Sequence, residues 1–178
     1  MIVREPIVGW RQWNFMYPHF LANLGNDTIY VPREKIEAHC EQKDHSEQQA
    51  PHLTCTCGIY AYKEKPRLLR EIRNIYSGLR LVYGEINLWG KVIEHEDGYR
   101  AQFGYPKRLW CTPAIEPLAG WIGYVYGVPC EVMPSGDGQA FRWKPDPKTI
   151  ITKYACGHYY HLGFCPKCFV LNIKAKRK

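Results

Sequence analysis

Hydrophobic and polar positions change period several times along the chain. Gly9 to Phe15 (GWRQWNF) and Asp27 to Val31 (DTIYV) carry aromatic and β-branched residues on either side of a turn containing Gly25-Asn26, which predicts two strands. From Pro66 the period becomes helical. Leu68, Leu69, Ile72, Ile75 and Tyr76 recur on one side, and Pro66 stands where a missing N–H costs nothing. Ser77-Gly78 ends the run. Arg67, Arg70 and Arg73 take the other side, a face that either meets solvent or tracks phosphates.

Alternation returns from Leu81 to Tyr105. Val82, Ile86, Leu88 and Val92 share a face, and Asp97-Gly98 is a type I′ hairpin signal. With those two residues as the loop, Glu96 faces Tyr99, His95 faces Arg100, Glu94 faces Ala101 and Val92 faces Phe103. One face then collects Val92, Phe103, Ala101 and Tyr99, with Glu94 and Glu96 at its outer end. The opposite face holds Glu85, Asn87, Trp89, His95, Arg100 and Gln102. Glu94 breaks the pattern: either it reaches water at a strand end, or it is a pocket acid that needs a partner or a raised pKa. Adjacent strand residues point to opposite faces, so Glu94 and His95 are poorly placed to form one dyad.

The stretch PAIEPLAGWIGYVYG, entered at Pro113 or Pro117 and ending at Tyr126, predicts a second helix with an aromatic side. Gly127 stops it, and Val128 to Met133 reads as a short strand. Residues 134–147, PSGDGQAFRWKPDP, form a Gly/Pro-rich linker. The expected fold class is α+β: a curled antiparallel sheet with two helices in residues 1–133, followed by a small C-terminal zinc-ribbon-like appendage in 148–178.

Composition supports a packed body. The chain has 178 residues, 46% hydrophobic and 14% aromatic, which does not match the low-hydrophobicity signature of disorder. The net charge of +7 is unevenly placed. Residues 148–178 hold seven Lys/Arg and no acid, whereas 1–147 hold seventeen of each sign. That segregation predicts a polyanionic partner for the tail. The opening residues lack a signal-peptide pattern, and no apolar run approaches the roughly 20 residues that span a bilayer. The expectation is a soluble cytoplasmic protein with no membrane association, whose eight cysteines are thiols or metal ligands.

Two Cys/His clusters stand out. In the tail, Cys165-Pro-Lys-Cys168 lets two sulfurs reach one ion from a tight turn, and Cys156 with His161 completes a tetrahedral set, His158 being the reserve. The second cluster contains Cys40, His45, His52, Cys55 and Cys57, beside His39. Cys40, His52, Cys55 and Cys57 can close a site there. The alternatives are small buried thiols beside Gly58, or a bridge from Cys40 or Cys55 to the tail cluster. Zinc is the expected cofactor, at one site or at both. Cys111 and Cys130 lie in apolar surroundings and read as core thiols. Cys55 or Cys57 beside His52 is the best Cys/His pair for nucleophilic chemistry, yet no third orienting residue is evident. Phosphate-binding glycine loops are absent, and His45-Ser-Glu47 lacks the nearby Cys-x-x-Cys of a zinc deaminase.

The segments GWRQW, CTCGIYAY, YGEINLWGKVIEHEDGYRAQFGYPKRL and YGVPCEV resemble small uncharacterised proteins of bacteria and their phages, over roughly residues 9–133. That resemblance implies a shared body fold and no chemistry. CGHYYH and CPKC resemble a compact zinc ribbon or half of a RING-type site, and the interleaved second ligand set of a RING is missing. The leading expectation is therefore a non-catalytic, zinc-stabilised, nucleic-acid-associated accessory protein. Lys167, Lys174, Lys176, Arg177 and Lys178 would contact phosphates of RNA or DNA, with Tyr159, Tyr160, Phe164 and Phe169 as stacking faces. The main alternative is an adaptor subunit docking on an acidic protein surface within a larger complex. A small enzyme using Glu94, His95 or a Cys/His pair is the third reading.

Overall fold

The computed structural model describes residues 2–16, 20–23, 28–40, 50–75 and 81–134, with the short pieces 152–153 and 159–160. The elements in chain order are β1 (Ile2–Met16), β2 (Phe20–Ala22), β3 (Ile29–Tyr30), β4 (Ile36–Glu37), β5 (Ile59–Tyr62), α1 (Lys65–Ile75), β6 (Leu81–Glu94) and β7 (Gly98–Cys111). A 3-10 segment (Pro113–Leu118), α2 (Ala119–Tyr126) and β8 (Cys130–Val132) follow, then the two-residue strands β9 (Thr152–Lys153) and β10 (Tyr159–Tyr160), which pair antiparallel. The fold is mixed α+β, a large and mostly antiparallel sheet with two helices. No described helix is long and apolar enough to cross a membrane.

The long strands β1, β6 and β7 form the frame. β1 pairs with β6 from Ile2↔Lys91 to Asn14↔Leu81, with a register shift between Val3 and Ile7, where Pro6 has no N–H to donate. β1 also meets β5 at Trp10↔Tyr62, and β5 pairs with β7 from Ile59↔Ala101 to Tyr62↔Gly98. The circuit β1–β6–β7–β5 thus returns to β1, which is the curl expected of this sheet. Close approach makes glycine necessary on both sides of β5. A Cβ at Gly9 would lie 2.7 Å from Ala61 Cβ, and one at Gly98 would lie 2.4 Å from Ala61 O.

The second role of Gly98 changes the hairpin. It belongs to β7 and pairs with Tyr62, so the connection is His95–Asp97, closed by the His95 N–H donating to Gly98 O at 2.8 Å. The observed register is Glu94↔Tyr99, Ile93↔Arg100, Val92↔Ala101 and Trp89↔Phe103, in place of the Asp97-Gly98 type I′ register. The slip at Glu94 is two residues, which preserves which side chains share a face. Val82, Ile86, Leu88 and Val92 are all buried accordingly. Arg100, placed with the polar residues of the opposite face, is only 5% exposed. The first strand pair also differs in detail, because the short strand β2 intervenes between β1 and β3. β8 runs parallel to β7, since the helical crossover from Pro113 to Tyr126 returns the chain in the same direction.

β6 faces two cores by simple alternation. Val82, Ile86 and Leu88 join Trp13, Leu21, Tyr30, Leu109, Ile122 and Tyr126 under α2. Leu81 and Tyr83 join Leu68 and Ile72 of α1, with Trp110 and Met133. Trp10, Trp110 and Tyr83 form a continuous stack, with centroids 5.5 and 5.6 Å apart, and the Lys65 ammonium sits 5.5–5.7 Å from all three rings. On the outer side of α1, Arg67 pairs with Glu71 and with Asp97 (3.2 Å), which ties the helix to the hairpin tip.

Two tyrosine hydroxyls lock the α2 layer. Tyr126 Oη accepts from Leu21 N (2.7 Å) and donates to Tyr30 O (2.6 Å); Tyr105 Oη accepts from Arg33 N (2.7 Å) and donates to Tyr126 O (2.8 Å). Burial holds the Tyr126 phenol above its ordinary pKa. Replacing Tyr126 by Phe leaves a buried N–H and a buried carbonyl without this partner. Urea unfolding is expected to show a loss of about 1–3 kcal/mol.

Candidate metal centre

β4 and β5 lie one after the other on the same edge of β7. Ile36 and Glu37 pair with Gly104 and Phe103, and Ile59–Tyr62 pair with Ala101 back to Gly98. The Ala38 N–H extends the first contact by donating to Gln102 O at 2.8 Å. The chain that leaves β4 and the chain that enters β5 are therefore brought together above Arg100. Cys40 ends the first of these segments; Cys55 and Cys57 belong to the second.

The ligand atoms of Cys40, Cys55 and Cys57 all lie within 4.8 Å of one another, a grouping that could hold a metal ion. Cys40 Sγ and Cys55 Sγ are 3.6 Å apart, and all three are free thiols. That separation is far beyond a disulfide bond of about 2.05 Å. It is close to the ~3.8 Å between two sulfurs on a tetrahedral ion with bonds of about 2.3 Å. Cys40 and Cys55 are buried, and Cys57 is half-buried.

Backbone contacts shape the loop. The Cys55 N–H donates to His52 O and the His52 N–H donates to Cys57 Sγ, both at 3.3 Å. Of the four residues expected to make this site, the structure gathers the three cysteines. His52 enters through its backbone, while its ring Nδ1 lies 3.1 Å from Thr54 Oγ1. His45 and the whole expected tail site, Cys156, His158, His161, Cys165 and Cys168, lie outside the described residues. So do Lys167, Lys174, Lys176, Arg177 and Lys178, and nearly all of the expected 134–147 linker.

Sequence reasoning missed Arg100. Its Nη1 donates to the carbonyl oxygens of Cys55, His52 (3.3 Å) and Cys57 (3.2 Å), and its Nε donates to His95 Nε2 at 2.9 Å. One guanidinium thus fastens the cysteine loop to β7. The signal was faint: an arginine in a strand, two residues from the hairpin, on the face opposite the apolar one. Gly58 completes the fastening. It has φ +130°, and a Cβ there would lie 3.0 Å from Pro51 Cβ and 3.1 Å from Arg100 Cβ.

Beside this loop runs an open groove of about 660 Å³, on whose wall Cys57 stands with Trp10, Arg11, Tyr60, His95 and Tyr99. The pocket-acid expectation for Glu94 is not met. Its carboxylate is exposed and takes a 2.7 Å ion pair from Lys63 at the strand end, a contact that raises the Lys63 pKa. His95 Nε2, as the acceptor from Arg100, carries the ring lone pair; Glu94 and His95 are engaged separately. Elsewhere, Cys111 and Cys130 sit side by side on β7 and β8. A hydrogen bond between them eases the first ionisation, at Cys111, and with burial pushes the Cys130 thiol far above its ordinary range.

Gly58→Ala places an L side chain in strained backbone against Pro51 and Arg100. Equilibrium unfolding is expected to show a loss of about 1–3 kcal/mol. The loop should loosen with it, so that Cys55, protected in the native chain, reacts with an aromatic disulfide reagent at a rate approaching that of Cys57.

Comparison of the chain with family models, with curated proteins and with solved structures gave no match, so the reading of the site rests on its own geometry.

Proposed function

We propose that this protein is a non-catalytic, zinc-stabilised accessory module that associates with nucleic acid. The observation that carries the metal half of the reading is the convergence of Cys40, Cys55 and Cys57 within 4.8 Å. Three soft sulfur donors this close together suit Zn²⁺ better than an oxygen-seeking cation. The metal would replace the hydrophobic packing that a polar loop such as 39–58 cannot supply for itself. Free thiols throughout the described residues fit a reducing, cytoplasmic setting.

The nucleic-acid half is supported by charge placement. Seven basic residues and no acid in 148–178 follow a body in which the signs balance. Such a segment releases counterions from a phosphate backbone and drives association that depends on salt more than on sequence.

Metal analysis of the purified full chain is expected to find zinc. Cys40→Ser, Cys55→Ser and Cys57→Ser should each remove one equivalent, and Cys111→Ser should remove none. Unchanged zinc in all four would end the loop-site reading. For the partner, anisotropy of a labelled single-stranded oligonucleotide should show affinity falling steeply with salt. The slope of log K against log[salt] is about −3.5 if all five terminal cations, Lys167 to Lys178, engage a single strand. Deletion of 148–178 should abolish this binding. Undiminished affinity in the deletion, or preference for an acidic polypeptide over the oligonucleotide, would replace the nucleic-acid reading with that of an adaptor.

A further inference from the structure

Arg100 is 5% exposed, and among the described residues it faces no carboxylate. Its partners are three backbone carbonyls and one imidazole nitrogen, and its guanidinium also lies 6.0 Å from the Tyr60 ring centroid. A buried cation held only by neutral groups is expensive unless an opposite charge comes to it. Two of the three carbonyls belong to Cys55 and Cys57, whose sulfurs converge with that of Cys40. On binding a metal, this cluster would acquire a negative charge next to the carbonyls that hold the guanidinium.

The count selects a ligand set. A divalent ion with three thiolates carries a net charge of −1, which one guanidinium neutralises. Four thiolates would leave −2, an excess of one. Two thiolates with two imidazoles would be neutral and leave Arg100 uncompensated. We infer that the loop binds its metal as a three-thiolate centre of Cys40, Cys55 and Cys57, completed by one neutral nitrogen or oxygen donor, with Arg100 as its charge-balancing and positioning residue. The inference rests on the metal reading above. Loading forms three metal–sulfur bonds and releases three thiol protons to solvent. Arg100 donates to the loop in both states, and the loaded centre supplies a charge that matches its own.

The test uses the full chain carrying Cys165→Ser and Cys168→Ser, so that metal signals come from the loop. Titration with Co²⁺ is expected to give one ion per chain, with a sulfur-to-cobalt charge-transfer intensity matching three thiolates. A four-thiolate or two-thiolate intensity would overturn the inference, and that measurement leaves Arg100 untouched. Zinc affinity is then read by chelator competition. Arg100→Gln should weaken binding by about 10- to 100-fold, and Arg100→Lys, which keeps the charge but loses the fan of donors, should recover most of that loss. Equal losses in both variants, or no loss in either, would show that Arg100 serves only the loop's hydrogen bonding. Failure of the parent chain to bind Co²⁺ at all would instead overturn the metal reading itself.

Discussion

The fit of β5 between β1 and β7 is the constraint on which this structure depends. Four residues, Ile59–Tyr62, close the sheet, and they do so at van der Waals limits. Gly9 and Gly98 have no side chain because Ala61 occupies the space where a Cβ would stand. Once β5 is seated, Tyr62 joins β1 to β7, and the sheet can surround the Trp13, Val82, Leu88 core without an open edge at that point. The same seating puts Cys55 and Cys57 directly upstream of a strand that cannot shift, so their position is set by backbone pairing rather than by the loop.

The cysteine loop illustrates how a polar segment is ordered without a core of its own. It has few large apolar side chains, and among its described residues Leu53 is 76% exposed. Order comes from the two ends pinned on β7, from the positive-φ turn at Gly58, and from one buried guanidinium collecting three carbonyls. Each of these constraints acts on backbone atoms, and the sulfurs of Cys40, Cys55 and Cys57 converge on one another. The contrast with Cys111 and Cys130 is instructive. Those two sulfurs engage each other at the junction of β7 and β8, where their mutual hydrogen bond favours ionisation of Cys111 and, with burial, holds the Cys130 thiol protonated.

Much of the frame was readable from local pattern, because local physics decides it. Pro66 and the Leu68, Ile72 spacing place α1; Gly127, in left-handed conformation, ends α2; the Leu81–Tyr105 alternation yields the β6/β7 pair. The Asp97-Gly98 turn failed for a non-local reason. Gly98 looks like turn chemistry but is there for the close approach of Ala61, thirty-seven residues earlier in the chain. Arg100 failed for a related one. Alternation assigns a side to each residue, yet whether that side meets water depends on which loop folds over it.

The sequence by itself determined most of the longer elements, the apolar face of β6, the separation of charge between body and tail, and the residue types able to bind a soft metal. Each follows from short-range periodicity or composition. Only the tertiary structure decided which of those residues meet. Cys40 reaches Cys55 and Cys57 because β4 and β5 share one edge of β7. Arg100 lies beneath them because their carbonyls can solvate a guanidinium where water cannot. Convergence of that kind depends on pairings between distant strands, and no local pattern encodes it.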